Sequence, residues 1–508
     1  MSGAASQTPG QGAAIPEFKQ VMGHPKPLWM LFMSEFWERF AFYGMRWALT
    51  LYIVAQFFDG DASGEAYAGR TYGAYLALVY ATAIFGGYVA DRVIGYQRSI
   101  LLGAVIMSAG LFMIMLPNQQ IFLLGLATII VGNGLFKPNI SSMVGQLYPQ
   151  GDPRRDRGFT LFYMGINAGA LIAPILTGWL AEQVFGTPQL QNYKAVFGAA
   201  GVGMLISLFW FWFGRRQLKG IGQPPEGGGS VMRVVYVAIA AIAAIPLVYL
   251  LMAKVGAVGL AWLLGILFVI VVGMLIVEAI REGAVQRDRG FAMLILFLFN
   301  VLFWMFFEQA GSSFNFLAQN IVDRDLFGAG GFVFPTGWFQ SVNPVAIVIF
   351  APIITAVWAF TSKKGFEPSI PRKFGLGLIG NALGFAVLMY ALTSLVDEQA
   401  NTIPFWPLVL CYVLQTLGEL CLSPIGLSMV TKLAPLRLVG FAMGGWFLSV
   451  AIGNNLSGLL AGEISGAEGM TINSALDGFT FSFWLLVGAG VVLFLIAPLV
   501  NRLMHGVK

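Results

Sequence analysis

The sequence predicts an all-α membrane protein of about fourteen spanning helices, arranged as two six-helix halves with two further helices inserted between them. Three observations carry this. Of 508 residues, 57% are hydrophobic and 10% charged, too few charges to solvate a soluble chain of this size. Apolar segments recur from about residue 28 to residue 502, each long enough to cross about 30 Å of hydrocarbon. The basic residues sit in short segments between those spans and alternate in density from one side to the other, which reports topology and not a nucleic-acid surface.

Residues 1–27 are rich in Gly, Ala, Gln and Pro without an apolar core, and read as a flexible cytoplasmic tail, not a signal peptide. Hydropathy then places helices near 28–58, 67–92, 98–117, 120–147, 157–185 and 192–215, an N-terminal six-helix bundle over 28–216. Arg215, Arg216 and Lys219 open a linker that runs through Pro224 and Pro225 to Ser230. Two spans with almost no ionisable residue inside follow, near 231–254 and 257–280, so 217–288 is assigned to the linker and two inserted helices. Six more, near 290–320, 337–361, 374–396, 404–432, 437–464 and 476–502, form a C-terminal six-helix bundle over 289–503, with a cytoplasmic tail over 504–508. One set of loops holds Arg98, Arg154, Arg155, Arg157, Arg215, Arg216, Lys219, Arg281, Arg287, Arg289, Lys363, Lys364, Arg372, Lys373, Lys432 and Arg437. The opposite set holds only Arg70, Lys194, Lys254 and Arg324. This asymmetry predicts both termini in the cytoplasm.

The first span breaks the apolar rule. Glu35, Glu38, Arg39 and Arg46 lie within it at helical offsets of three and four, so one face presents carboxylates and guanidinium groups together, with Tyr43 on the same face. A charge in hydrocarbon costs roughly 2.5 kcal/mol or more. The stripe therefore either locks helices together through ion pairs or lines a path for ions, protons or charged solutes. The other intramembrane charges are Lys137 beside Pro138, Glu308 four residues after Trp304, and Glu419 between Gly418 and Pro424. Pro and Gly beside two of them free backbone groups that a bilayer tolerates mainly next to protein or water. Glu35, Glu38, Glu308 and Glu419 outnumber Arg39, Arg46 and Lys137 by one, and a proton would neutralise the surplus. Protonation of Glu35 or Glu38 would release Arg39 or Lys137 to bind an anionic group such as a peptide carboxylate.

Motifs narrow the reading. Gly87-Tyr-Val-Ala-Asp91-Arg92-Val-Ile-Gly95, followed by Arg98, resembles the loop signature between the second and third helices of the major facilitator superfamily. Two six-helix halves joined by a basic linker are also that superfamily's plan, with the site at the midplane between halves. Glu35-Phe-Trp-Glu38-Arg39-Phe40 resembles the Glu-x-x-Glu-Arg-Phe signature of the proton-dependent oligopeptide transporter (POT) family. Phe162-Tyr163-Met-Gly-Ile166-Asn167-Ala-Gly169 is similar to its fifth-helix motif, and Gly418-Glu419 with Ser423-Pro424 to its tenth-helix segment. The two inserted helices are typical of its bacterial members. The resemblance spans nearly the whole chain after the tail, and departs from the family at Ala170, where a serine is common.

The resemblance implies proton-coupled symport of di- and tripeptides into the cell by alternating access. It implies that Glu419 and Asn343 take the peptide amino terminus, with Asn167 bonding its backbone, while Arg39, Arg46 and Lys137 face its carboxylate. Glu35, Glu38, Arg39 and Glu308 would carry proton coupling. Arg46 with Glu308 would close the outer side and Lys137 with Glu419 the inner side. Tyr43, Tyr80, Tyr163, Trp304, Trp446 and Ser449 would line the pocket. Asn167 and Ser449 read equally well as helix-packing polar residues, and with 43 Phe, 15 Tyr and 13 Trp in the chain, aromatic residues are weak evidence outside the motifs.

Other classes fit less well. His24 and His505 lie near the chain ends, so no span offers an imidazole for a metal or a relay, and neither a nucleophile with its base nor a suitable aspartate pair is visible. The expectation is a transporter and not an enzyme, with no metal and no cofactor beyond protons as the coupling ion. Its expected partners are peptides, protons and the lipid bilayer, without nucleic acid. It is expected to act as a monomer in the inner (plasma) membrane. The alternative is a symporter of the same fold for another small anionic or amino-acid-derived solute.

Overall fold

The computed structural model describes residues 16–149, 152–224, 230–328 and 331–507. Most of the expected N-terminal tail, the middle of the linker and Lys508 lie outside the described residues. A short antiparallel pair, β1 (Gln20–Val21) and β2 (His24–Pro25), precedes the first helix. The first half comprises α1 (Lys26–Arg46), α2 (Ala48–Phe57), α3 (Glu65–Val89), α4 (Tyr96–Met113), α5 (Gln119–Gln146), α6 (Arg154–Trp179) and α7 (Tyr193–Gly214). The inserted pair is α8 (Val231–Leu250) and α9 (Gly256–Arg281). The second half comprises α10 (Ala284–Phe307), α11 (Ser313–Asn320), α12 (Val342–Lys363), α13 (Ile370–Ser394), α14 (Trp406–Leu433), α15 (Val439–Ser465) and α16 (Ile472–Leu503).

Among the described residues, eleven helical segments are long and apolar enough to cross a membrane, one of them running from Val231 to Arg281 across both inserted helices. The α1–α2 segment and α15 fall outside that set: the first carries the charged stripe, and the second carries glycines with Asn454 and Asn455. Polar side chains lower their apparent apolarity because these helices face protein instead of lipid. By contrast α8, α9 and α12 expose Val, Ile and Leu along their lengths, a surface suited to acyl chains.

Two spans that hydropathy reads as continuous are broken. The first is interrupted at Trp47, whose carbonyl accepts a hydrogen bond from Asn315 Nδ2 at 2.9 Å and whose indole donates to Thr177 Oγ1 at 3.0 Å. The other, near 290–320, unwinds into a 3-10 turn over Glu308–Gly311 before α11. A methyl group at Gly311 would lie 1.9 Å from the Tyr72 hydroxyl, so the missing side chain lets the first half approach this break. Such discontinuities at mid-span are where transporters place polar chemistry.

Small residues set the close crossings. A Cβ on Gly73 of α3 would sit 2.6 Å from the Cα of Gly458 on α15, which joins the two halves with backbones almost touching. Within the second half, Gly418 of α14 meets the backbone of α13 at Gly377. Aromatic clusters fill each half: Tyr52, Phe122 and Phe197 in the first, and Phe314, Phe385, Tyr412 and Phe479 in the second.

Candidate functional site

The first helix positions the central charges. Arg39 lies between two carboxylates: Nη2 donates to Glu38 Oε1 at 2.6 Å, Nε pairs with Glu38, and Glu35 Oε1 is 3.4 Å from Nε. Asn133 of α5 donates to Glu38 Oε1 at 3.2 Å, and the guanidinium stacks 4.9 Å from the Phe42 ring centre. Glu35 Oε2 is buried without a hydrogen-bond partner. All three side chains are buried, with Glu38 at 0% exposure.

About two turns further along, Arg46 reaches across to the second half. It pairs with Glu308 at the broken end of α10, and its Nε donates to the Tyr72 hydroxyl at 2.5 Å. Tyr43 and Tyr72 present their rings at 5.8 and 5.9 Å. A small cavity of about 30 Å³ lies against this pair, lined by Tyr43 and Arg46 from one half and by Gln340, Asn343, Gln415 and Thr416 from the other.

The remaining two charges are apart. Lys137 of α5 is 4.5 Å from the centre of the Tyr80 ring, and among the described residues no ion pair joins it to Glu419. Glu419 of α14 accepts from Asn343 Nδ2 at 2.9 Å, and the same amide donates to Thr416 Oγ1 at 2.9 Å. Tyr43, Tyr80, Lys137, Trp304, Asn343 and Glu419 are half-buried and Tyr163 is 48% exposed, so this region is reached by solvent although it lies in mid-span.

Three expected pocket residues face protein instead. Ser449 is fully buried, accepts from Asn300 Nδ2 at 2.8 Å and donates to the Trp446 carbonyl at 2.6 Å. Asn300 in turn accepts from the Trp304 indole at 3.1 Å, so Ser449 reaches the cleft only through a neighbour. Trp446 is buried against Phe297 and Phe374. Asn167 donates to the Tyr163 carbonyl one turn back on its own helix, at 2.9 Å.

Contacts between the halves concentrate at one end, the end of the bundle where α3 begins and α15 finishes. Glu65 accepts from Asn320 Nδ2 at 2.7 Å and from the Met470 amide at 2.8 Å. Glu182 pairs with Arg324 at 3.0 Å and accepts from the Thr336 amide at 3.0 Å. Arg70 pairs with Glu463 at 3.0 Å. The cleft is thus sealed beyond Arg46 and Glu308. Among the described residues no cluster of His, Cys, Asp and Glu suited to a metal ion forms.

A model of the POT family matches residues 97–473. The peptide transporter YePEPT of Yersinia enterocolitica subsp. palearctica is 36% identical over 97% of this chain and 98% of its own length. The chain belongs to the POT family. Dipeptide and tripeptide permease B of Photorhabdus asymbiotica subsp. asymbiotica is 34% identical over 96% of this chain and 98% of its own. The crystal structure of peptide transporter POT in complex with sulfate is similar at a TM-score of 0.81 and 34% identity, covering 96% of this chain and 97% of that one. Membership makes the protein a membrane transporter of the major facilitator fold, and not an enzyme.

Several residues of this POT-family site escaped sequence reasoning. Tyr72 and Asn133, which hold Arg46 and Glu38, carry no charge and sit in apolar runs without a motif. Arg324 had a usable signal, as one of the few basic residues on its side of the membrane, whereas Glu65 and Glu182 are two among many acidic residues there. A buried guanidinium needs a carboxylate, but with many acidic residues on that side only the fold selects Glu182.

Proposed function

We propose that the protein imports di- and tripeptides in symport with protons across the inner membrane, with both termini in the cytoplasm and residues 28–216 and 289–503 rocking as two halves about the inserted segment 217–288. One observation carries this reading: charge is divided across an open cleft. Among the described residues Lys137 on the first half has an aromatic face and no carboxylate within ion-pair distance, while Glu419 on the second has neutral donors alone. A zwitterion satisfies both, its ammonium at Glu419 and Asn343 and its carboxylate at Lys137 and Arg39. Unpaired charge in a partly dehydrated cavity is costly, so a ligand lacking either terminus binds poorly.

Glu35 is the proposed proton carrier. Its Oε2 is buried without a donor, and Arg39 already serves Glu38, so a proton on Glu35 removes the one charge the cluster leaves uncompensated. Arg46 with Glu308 forms the outer gate, and a peptide that draws Arg39 or Lys137 toward its carboxylate links binding to that gate. The driving force suffices: about 1.4 kcal/mol per pH unit and about 2.3 kcal/mol per 100 mV for one charge.

Uptake of labelled dialanine into liposomes, under an inward proton gradient and a negative-inside potential, tests the reading. Wild-type accumulation should collapse with an uncoupler, and Glu35→Gln should retain counterflow exchange only. Failure to transport dialanine while another solute is bound or moved would shift the substrate to another small anionic or amino-acid-derived solute. Equal gradient-driven accumulation by Glu35→Gln and Glu38→Gln would move the proton site to Glu308 or Glu419.

A further inference from the structure

We propose that a basic recess at the end of α7, remote from the cleft, binds the phosphate group of an anion, supplied by a lipid headgroup or by free phosphate. The recess measures about 410 Å³ and is lined by Arg215, Arg216 and Lys219 with Gln97, Arg98 and Gln223, a volume within the usual range for ligand sites. Among the described residues no carboxylate pairs with Arg215, Arg216 or Lys219. Three cations gathered without a counter-ion repel one another, and a phosphate group, with several acceptor oxygens and negative charge, relieves that repulsion through Arg forks.

The recess is a formed structure and not a loose arm. Gln97 at the start of α4 clamps the linker by donating from its main chain to the Gly222 carbonyl at 3.0 Å and from its side chain to the Ile221 carbonyl at 2.7 Å. Lys219 holds a left-handed backbone conformation, φ 49°, unfavourable for a residue with a side chain, and its ammonium donates to the Glu17 carbonyl at 2.6 Å. Arg215 stacks 4.3 Å from the Trp212 ring centre.

Position favours the lipid as supplier. The last turns of α7 expose Phe209, Trp210, Trp212 and Phe213 outward, an aromatic belt of the kind that marks the membrane interface. Arg215 follows that belt within one turn. A basic pocket at this level meets headgroups directly.

The test is native mass spectrometry of the full-length protein titrated with phosphatidylglycerol and, separately, phosphatidylcholine. One phosphatidylglycerol should be retained in preference to phosphatidylcholine. Arg215→Gln with Arg216→Gln and Lys219→Gln should weaken it by about a hundredfold, at roughly fivefold per cation near an anionic headgroup. Lys363→Gln with Lys364→Gln and Arg372→Gln, which removes as many charges from the other half, should leave it unchanged. Should the first set fail to assemble, Lys219→Gln alone, at an exposed side chain, should still show the fivefold loss. Equal retention of both lipids, or no loss in either variant of the recess, overturns the site. Displacement by millimolar inorganic phosphate assigns it to the free anion, and resistance to displacement assigns it to the lipid.

Discussion

Arg46, in the proposed outer gate, shows how the fold can hold a single charged side chain ready to change partners. It is 8% exposed, is held by Glu308 and Tyr72, and lies between two tyrosine rings. Removing one partner of a buried pair costs about 3–5 kcal/mol, whereas exchanging partners costs far less. That asymmetry suits a group which must stay charged and change neighbours. Gly311 makes the arrangement sterically feasible, because a methyl there would meet the Tyr72 hydroxyl. Gly311→Ala is therefore expected to displace Tyr72 from Arg46 and to lower dialanine uptake about tenfold, as overpacking of about 1–3 kcal/mol implies. Protein yield and helicity should hold. Uptake within twofold of wild type would show that this contact has no part in gating.

At the scale of elements, the α3–α15 crossing decides how tightly the sealed end closes. Gly73 and Gly458 bring two backbones together where any side chain would separate them. Gly458→Val should lower the thermal midpoint by several degrees and abolish both counterflow and gradient-driven uptake. Gly440→Val on the same helix, where an added Cβ meets open space, should alter neither. If the two variants behave alike, helix propensity and not the crossing is responsible. The inserted helices are attached at the same level: Asn455 of α15 donates to the Ala257 carbonyl of α9 at 2.8 Å, and α9 also packs on α10. α8 packs in turn on α5 of the first half, so the inserted pair bridges both halves, in keeping with the proposed rocking of the halves about it.

Over the whole molecule, ion pairs seal one end of the cleft and its other end is open. With the proposed topology this is an inward-facing state, in which Tyr163 is reached from the cytoplasm. Cys411 and Cys421 are both buried, so an added thiol reports with little background. Tyr163→Cys should react with a membrane-impermeant thiol reagent in inside-out vesicles and resist it in right-side-out ones. The opposite pattern would reverse the topology. Equal reaction from both sides would mean that the sealed end opens as often as it closes.

Composition and periodicity determined the membrane class, the approximate spans and the face on which Glu35, Glu38, Arg39 and Arg46 lie, because burial of a helix in lipid is a local, additive property of its residues. The motifs reached further and gave the family. Pairing was decided only in three dimensions. Arg46 meets Glu308 across 262 residues, and nothing along α1 states which helix crosses it or at what height. The same holds for Lys137 and Glu419, implied as a pair by the resemblance and apart in this structure, since nothing along α5 or α14 sets the distance between them. Ser449 and Trp446, implied as pocket residues by the family resemblance, turn inward against Asn300 and Phe297, since a motif shows what a residue can meet and only packing selects which. The breaks at Trp47 and Glu308 were hidden for the same reason: each arises where a group from the other half claims or displaces a backbone bond, and hydropathy sees neither partner.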